Sequence, residues 1–165
     1  MNLKTITTIF ISITLTGCLA TYPKIEKSDN TAFLKFERNM AAPLLGSISR
    51  YVKVDDKQDC NQGYVEHTLL AVQNTGNPLV SDLNLDGLYV KPGDYRILIN
   101  TVAGPGAWCD VFVKLDIEAG KKYRIVANGN MRSGRGSCSA SLYTQTADGT
   151  PYKKSKFKKY YECNK

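Results

Sequence analysis

The chain has 165 residues, of which 42% are hydrophobic, 22% charged and 10% aromatic, and its formal net charge is +7. Those proportions exclude a disordered, collagen-like or coiled-coil chain and point to one domain, able to bury about two-thirds of its unfolded surface. A single histidine (His67), five cysteines and no long apolar run argue against most metalloenzymes and against a multi-span membrane protein.

Lys4 precedes an apolar stretch from Thr5 to Leu15, well short of the ~20 residues that cross a bilayer. It reads as a secretory signal, not as a structural helix. The stretch ends Leu15-Thr16-Gly17-Cys18, which resembles the lipobox of bacterial lipoproteins. Small residues suit a peptidase pocket, and the thiol is the nucleophile that takes a diacylglycerol thioether. The resemblance implies that residues 1–17 are removed and that Cys18 becomes the N-terminus. It would then carry lipid on its sulfur and usually on its amine (palmitate), and no other cofactor is expected. Two or more chains hold a protein firmly to a bilayer, whereas one binds marginally. Leu19 follows the lipidated cysteine where aspartate would signal retention, which by the sorting rule of enteric lipoproteins implies the outer membrane. An ordinary signal with a chance cysteine is the plainer alternative.

Without Cys18, four cysteines remain: Cys60, Cys109, Cys138 and Cys163. An even number in an oxidising compartment predicts two disulfides, with three possible pairings. No CxxC or CxxH spacing supports zinc or thioredoxin chemistry.

Residues 18–30 are polar, contain Pro23 and show no period, so the lipidated cysteine and the segment after it read as a flexible tether. As a coil the segment would span on the order of 20 Å. Residues 31–165 form the domain, and alternation with turns every 8–12 positions predicts an all-β, antiparallel sandwich of about seven to nine strands. Strands are predicted at 32–36, 47–54 and 63–73, with a loop at 74–78 and continued alternation through Leu83, Leu85 and Leu88. Asn39 to Gly46 reads as one short helical turn. Val111, Val113, Leu115 and Ile117 alternate with Phe112, Lys114 and Asp116, so one face of that strand should be core. Residues 137–146 and 152–161 flank the turn Asp148-Gly149-Thr150-Pro151 and read as a closing hairpin. Cys138 and Cys163 would lie near its open end, which favours Cys138–Cys163 and leaves Cys60–Cys109.

The segment Leu88-Tyr89-Val90-Lys91-Pro92-Gly93-Asp94-Tyr95-Arg96-Ile97 is echoed by Leu115-Asp116-Ile117-Glu118-Ala119-Gly120-Lys121-Lys122-Tyr123-Arg124-Ile125. Each reads as a strand, a reversal at glycine and a second strand. The pattern resembles small transthyretin-like and PEGA-like β-sandwich domains, and it recurs in short envelope lipoproteins. That resemblance covers about residues 83–127 and implies adhesion, scaffold or carbohydrate-side modules without chemistry of their own.

Asp82-Leu83-Asn84-Leu85-Asp86-Gly87 matches the first half of a calcium loop, but position twelve is Gly93 where a bidentate glutamate belongs. No metal site is expected. His67 sits on the polar side of a strand without a catalytic frame, so no catalytic residue is assigned and the chain is read as no enzyme. The glycine-rich loop 128–137 carries Arg132 and Arg135, whose forks suit phosphate or carboxylate. Loss of Lys4 with the signal leaves 21 basic and 15 acidic residues, +6, and the tail from Tyr152 to Lys165 holds six lysines against one glutamate. Lys153, Lys154, Lys156, Lys158 and Lys159, interleaved with aromatics, are candidate anion-binding residues, and equally suit protection of an edge strand against aggregation.

Taken together these residues describe an envelope lipoprotein, anchored to a membrane by lipid and acting as a binding or structural module. Its partner would be an anionic envelope polymer or a protein, not nucleic acid. The rival expectations are a subunit of a secretion or envelope complex and an inhibitor of a host or competitor hydrolase.

Overall fold

A computed structural model describes residues 20–41, 46–54, 68–104, 107–131, 137–146 and 150–161. Among them lie eleven strands and no helix. In chain order these are β1 (Ala20–Thr21), β2 (Ala32–Ala41), β3 (Ser47–Val54), β4 (Thr68–Thr75), β5 (Leu88–Val90), β6 (Gly93–Ala103), β7 (Ala107–Ile117), β8 (Lys122–Asn130), β9 (Ser137–Gln145), β10 (Lys153–Ser155) and β11 (Lys159–Tyr161). A first sheet has the order β1-β4-β3-β6-β7-β11, and a second has β10-β9-β8-β2-β5. Both are mixed, in contrast to the all-antiparallel expectation: β1 runs parallel to β4, and β2 runs parallel to β8 over nine residue pairs.

Period-two patterning builds the core. On β7, Val111, Val113, Leu115 and Ile117 are buried, as expected, while Asp116 faces out. Leu34 and Phe36 on β2 and Tyr123 and Ile125 on β8 do the same for the second sheet, and residues of both sheets join one buried cluster. The short helical turn expected at 39–46 is replaced as far as Ala41 by strand. The unbroken ladder with β8 outweighs the weak helical preference of Met40 and Ala41; residues 42–45 lie outside the described residues.

The echoed segments are not hairpins. β5 belongs to the second sheet and β6 to the first, whereas β7 belongs to the first and β8 to the second. Each copy is therefore a corner at which the chain changes sheets, with Gly93 (φ +140°) and Gly120 (φ +72°) supplying dihedrals that other residues rarely adopt. A tyrosine braces each corner: Tyr95 Oη donates to Lys91 O at 2.9 Å, and Tyr123 Oη accepts from Glu118 N at 2.9 Å. This is the logic of a tyrosine corner, a phenol tied back to the backbone that enters its strand.

The expected closing hairpin is also divided. β10 pairs with β9 for three residues, then the chain crosses so that β11 pairs with β7 in the other sheet. Phe157 packs against the core at the crossing, and Lys158 N donates to Lys114 O at 2.8 Å. Without a long hairpin the geometric case for Cys138–Cys163 is gone. Cys138 is bonded instead to Cys109, with a Cα–Cα distance of 6.1 Å, which also overturns Cys60–Cys109. The bond ties β7 in the first sheet to β9 in the second. Cys60 and Cys163 lie outside the described residues.

Within the segment expected to be a flexible tether, residues 20–22 are paired to the first sheet. Ala20 and Thr21 pair with Thr68 and Leu69, and Tyr22 N donates to Leu69 O at 2.9 Å. The Tyr22 phenol lies 3.0 Å from the Tyr95 phenol and accepts from Lys91 N at 3.4 Å. An apolar ring with a polar tip gives this otherwise polar segment something to bury.

Side chains bridge the sheets where strands do not. Past Leu34 no described strand pairs with the β5 side of β2, and Gln73 Nε2 reaches over from β4 to donate to Phe36 O at 2.7 Å. Tyr51 Oη lies 3.0 Å from Glu37 O and 2.9 Å from Gln73 Oε1, so one hydroxyl serves two acceptors. Arg38 donates to Ser47 Oγ at 2.6 Å and to Thr75 Oγ1 at 2.7 Å, and burial holds its guanidinium below its ordinary pKa.

Burial pushes the Tyr51, Tyr95 and Tyr123 phenols up in pKa. The unfolded chain sheds these protons near pH 10 while the folded state keeps them, so their contribution is complete below pH 10 and is lost as pH rises. Unfolding free energy is expected to fall above pH 10, by up to about 1.4 kcal/mol per pH unit for each phenol. Tyr51→Phe should cost about 1–2 kcal/mol at neutral pH and make that alkaline decline shallower. An unchanged slope in urea unfolding across the series would refute the role given to Tyr51.

Candidate functional site

The tail lysines fall into different roles. Lys153 and Lys154 lie on β10, the outermost strand of the second sheet, and both are exposed, as is Lys156. Lys158 is engaged elsewhere: its Nζ donates to Asp94 Oδ1 at 3.1 Å and to Asp116 Oδ2 at 3.0 Å. Hydrogen bonding from Lys158 holds the Asp94 carboxyl below its ordinary pKa, and Asp116 raises that of Lys158. Lys114 Nζ adds a further contact to Asp94 at 3.7 Å. Lys158 therefore fixes the crossing of the tail, its charge engaged by two carboxylates, whereas Lys153, Lys154 and Lys156 are exposed. Lys159 opens β11 opposite Lys114.

Arg132 and Arg135 lie outside the described residues, but the roots of their loop do not. Asn130 and Ser137 face each other at one end of the β8–β9 pair, whereas Lys153 faces Thr144 near the other. Seven residues of β9 separate Ser137 from Thr144, which is about 23 Å of strand. The roots of the arginine loop and the lysine edge thus lie at opposite ends of β9.

What joins Lys154 is a row that sequence reading missed. Lys154 faces Tyr143, Tyr143 faces Arg124, and Arg124 faces Lys35, across β10, β9, β8 and β2. Residues directly opposite share a face, and these lie on the face turned away from the core. The Arg124 guanidinium stacks 4.6 Å from the Tyr143 ring centroid and 4.9 Å from that of Tyr152. Such stacking contributes about 0.5–1 kcal/mol and holds the fork flat against the sheet. Glu37 lies 3.6 Å from Arg124 and 3.4 Å from Lys35, a single carboxylate among three cations. One signal was present: Lys35, Lys122 and Arg124 are the outward positions between buried Leu34, Phe36, Tyr123 and Ile125. Knowing that β2 lies beside β8 was the missing step.

The half calcium loop is built as a turn. Asp82 Oδ1 accepts from Asn74 N at 2.7 Å, Asn84 Nδ2 donates to Leu70 O at 2.7 Å, and Asn84 adopts a φ of +53°. Among the described residues no three His, Cys, Asp or Glu side chains are grouped to hold a metal. His67 is outside the described residues.

A different surface stands out on the first sheet. Trp108 and Val102 face each other across β7 and β6, 58% and 38% exposed, and Ile48 of β3 continues the row beside Val102.

No family model matches this chain, and no curated protein does. Among solved structures it is similar to one described as a "putative cell adhesion protein" from Bacteroides ovatus, at 11% identity and a TM-score of 0.28. The match covers 67% of this chain and 42% of that one, less than half of its length.

Proposed function

We propose that this chain is a lipid-anchored envelope lipoprotein whose two sheets pack as a β-sandwich and which acts, without catalysis, as a binding module for anionic groups. The observation that carries the reading is the row Lys154–Tyr143–Arg124–Lys35, continued at the sheet edge by exposed Lys153 and Lys156. Ammonium and guanidinium groups match phosphate, sulfate or carboxylate, and the two tyrosine rings hold the Arg124 guanidinium flat against the sheet beside the single carboxylate of Glu37. The lipobox-like Leu15-Thr16-Gly17-Cys18 supplies the anchor, and Leu19 favours the outer membrane.

The test is binding of the full chain to purified lipopolysaccharide and to dextran sulfate across a salt series. Lys153→Glu, Lys154→Glu and Lys156→Glu together should weaken binding to both probes at least several-fold. Unfolding free energy should change by less than about 1 kcal/mol, because all three side chains are exposed. Undiminished binding by a folded variant would leave the lysines with the task of blunting an open sheet edge.

The exposed Trp108 and Val102, continued by half-buried Ile48, favour a second reading, membership of an envelope complex, since partly exposed tryptophans with apolar neighbours are frequent anchors of protein interfaces. Trp108→Ala would then lose a co-purifying envelope partner while leaving binding to lipopolysaccharide intact.

A further inference from the structure

The lipid-bearing residue of the proposed lipoprotein stands directly before a segment locked to the sheet. Only Leu19 separates Cys18 from Ala20, whose partner is Thr68, and two residues reach at most about 7 Å. The strand registers then say which end of the domain lies there. Thr68 faces Lys53, Val54 faces Arg96, and Gly93 faces Ile117. The corners at Lys91–Pro92 and Glu118–Lys121 leave from that same end, where Gly120 N donates to Thr31 O at 2.9 Å. The opposite end holds Thr75, Val102, Trp108 and Ser137. Strands β6 and β7, eleven residues each, set the two ends about 35 Å apart.

We infer that the anchor is a clamp and that the domain stands on the bilayer by the end carrying Lys24, Lys27, Lys91, Lys121 and Lys122, with the Trp108 end held away from it. This rests on lipidation of Cys18. The occupant of that end is the phosphate layer of the lipid headgroups. Lys24, Lys27 and Lys91 are exposed there, and Asp94 and Asp116 are engaged by Lys158. Glu118 holds Lys121 at 2.7 Å, and Glu26 and Asp29 are exposed beside Lys24 and Lys27. Lys153 and Lys154 of β10 lie toward the same end, since Lys153 faces Thr144 and Thr144 faces Tyr123. Because the short anchor and not the charge sets the orientation, seating is expected on zwitterionic as well as anionic headgroups. Among the described residues the exposed large apolar side chains are Leu79, Val102 and Trp108 at the far end and Leu85 on the flank, so the described part of this end meets headgroups and carries no apolar wedge for the acyl chains.

The experiment uses the full chain, exported and processed in a bacterium, then reconstituted into phosphatidylcholine vesicles with and without phosphatidylglycerol. A photo-crosslinking residue, p-benzoylphenylalanine, replaces Lys91 in one preparation and Leu79 in another. Lipid adducts should form from position 91 in both vesicle types and remain at background from position 79. A flexible Gly-Ser stretch inserted between Leu19 and Ala20 should abolish the difference. Equal labelling at the two positions overturns the clamp, and so does a difference that survives the insertion, which would assign orientation to the surface alone. Intact mass reports the acyl chains separately: their absence from Cys18 overturns the lipoprotein reading together with the clamp, whereas lipidated protein with equal labelling overturns the clamp alone.

Discussion

Replacing Cys109 and Cys138 together by alanine is expected to lower the unfolding free energy by about 3.5 kcal/mol. The two residues are 29 apart in sequence and join β7 of the first sheet to β9 of the second. The bond thus closes a loop of about thirty residues that contains the whole of β8, and loop-closure entropy in the unfolded state gives the figure. Ala103, Ala107 and Met131 pack around Cys109, so the loss of two sulfur atoms from that small cluster adds to the cost. Urea unfolding of the variant against the oxidised parent measures it. A loss below about 1 kcal/mol, or a non-reducing peptide map that joins Cys138 to Cys163, would refute the assignment.

Phe36→Ala should cost about 3–5 kcal/mol. The ring is 1% exposed and its centroid lies 4.4 Å from that of Tyr51, so one aromatic from each sheet meets inside the shared cluster. Its main chain is held by the ladder with β8 and by Gln73, which leaves little freedom to collapse into the space. Phe36→Leu, which keeps most of the volume, should cost less than about 1.5 kcal/mol. Small losses for both variants would mean that the position tolerates a cavity and that the aromatic contact carries little, whereas large losses for both would assign the effect to the ring contact with Tyr51.

Much of the fold was legible because one face of most strands is buried. Alternation along Val111, Val113, Leu115 and Ile117 is a local property, and it survives folding unchanged. Partner choice is not local. The two glycine echoes suit a hairpin or a change of sheet equally well, and only burial of Tyr95 and Tyr123 against the shared cluster separates these outcomes. The tail shows the same limit. Tyr152 to Tyr161 alternates like one strand, yet Phe157 and the Lys158 pairs with Asp94 and Asp116 pull its second half to the other sheet. Those carboxylates are 64 and 42 residues away, beyond any sequence window. The preferred pairing of Cys138 with Cys163 failed with that hairpin, while a disulfide at Cys138 is present with Cys109 as its partner.

The candidate site was legible as a charge excess and not as a surface. Lys153, Lys154 and Lys156 stand out by composition, and they are exposed as an edge strand requires. Lys35 and Arg124 looked like ordinary outward positions, and it is the parallel pairing of β2 with β8 that sets them side by side. Pairings of that kind leave no trace in periodicity.

The same pairing governs how the chain must assemble. Phe33 of β2 is seated against Lys122 of β8, 89 residues later, and β5 covers only the first three residues of its other side. Until the chain is available as far as β8, β2 therefore presents a long, half-apolar edge with nothing to pair against. Loop-closure entropy has to be met before that ladder yields any stabilisation, so folding belongs in the slow, millisecond-to-second class of domains dominated by distant contacts. A strand left open for that long is a template for other chains. The protein is thus expected to depend on being kept dilute or escorted until the second sheet closes, and to aggregate first through β2 when that interval is prolonged.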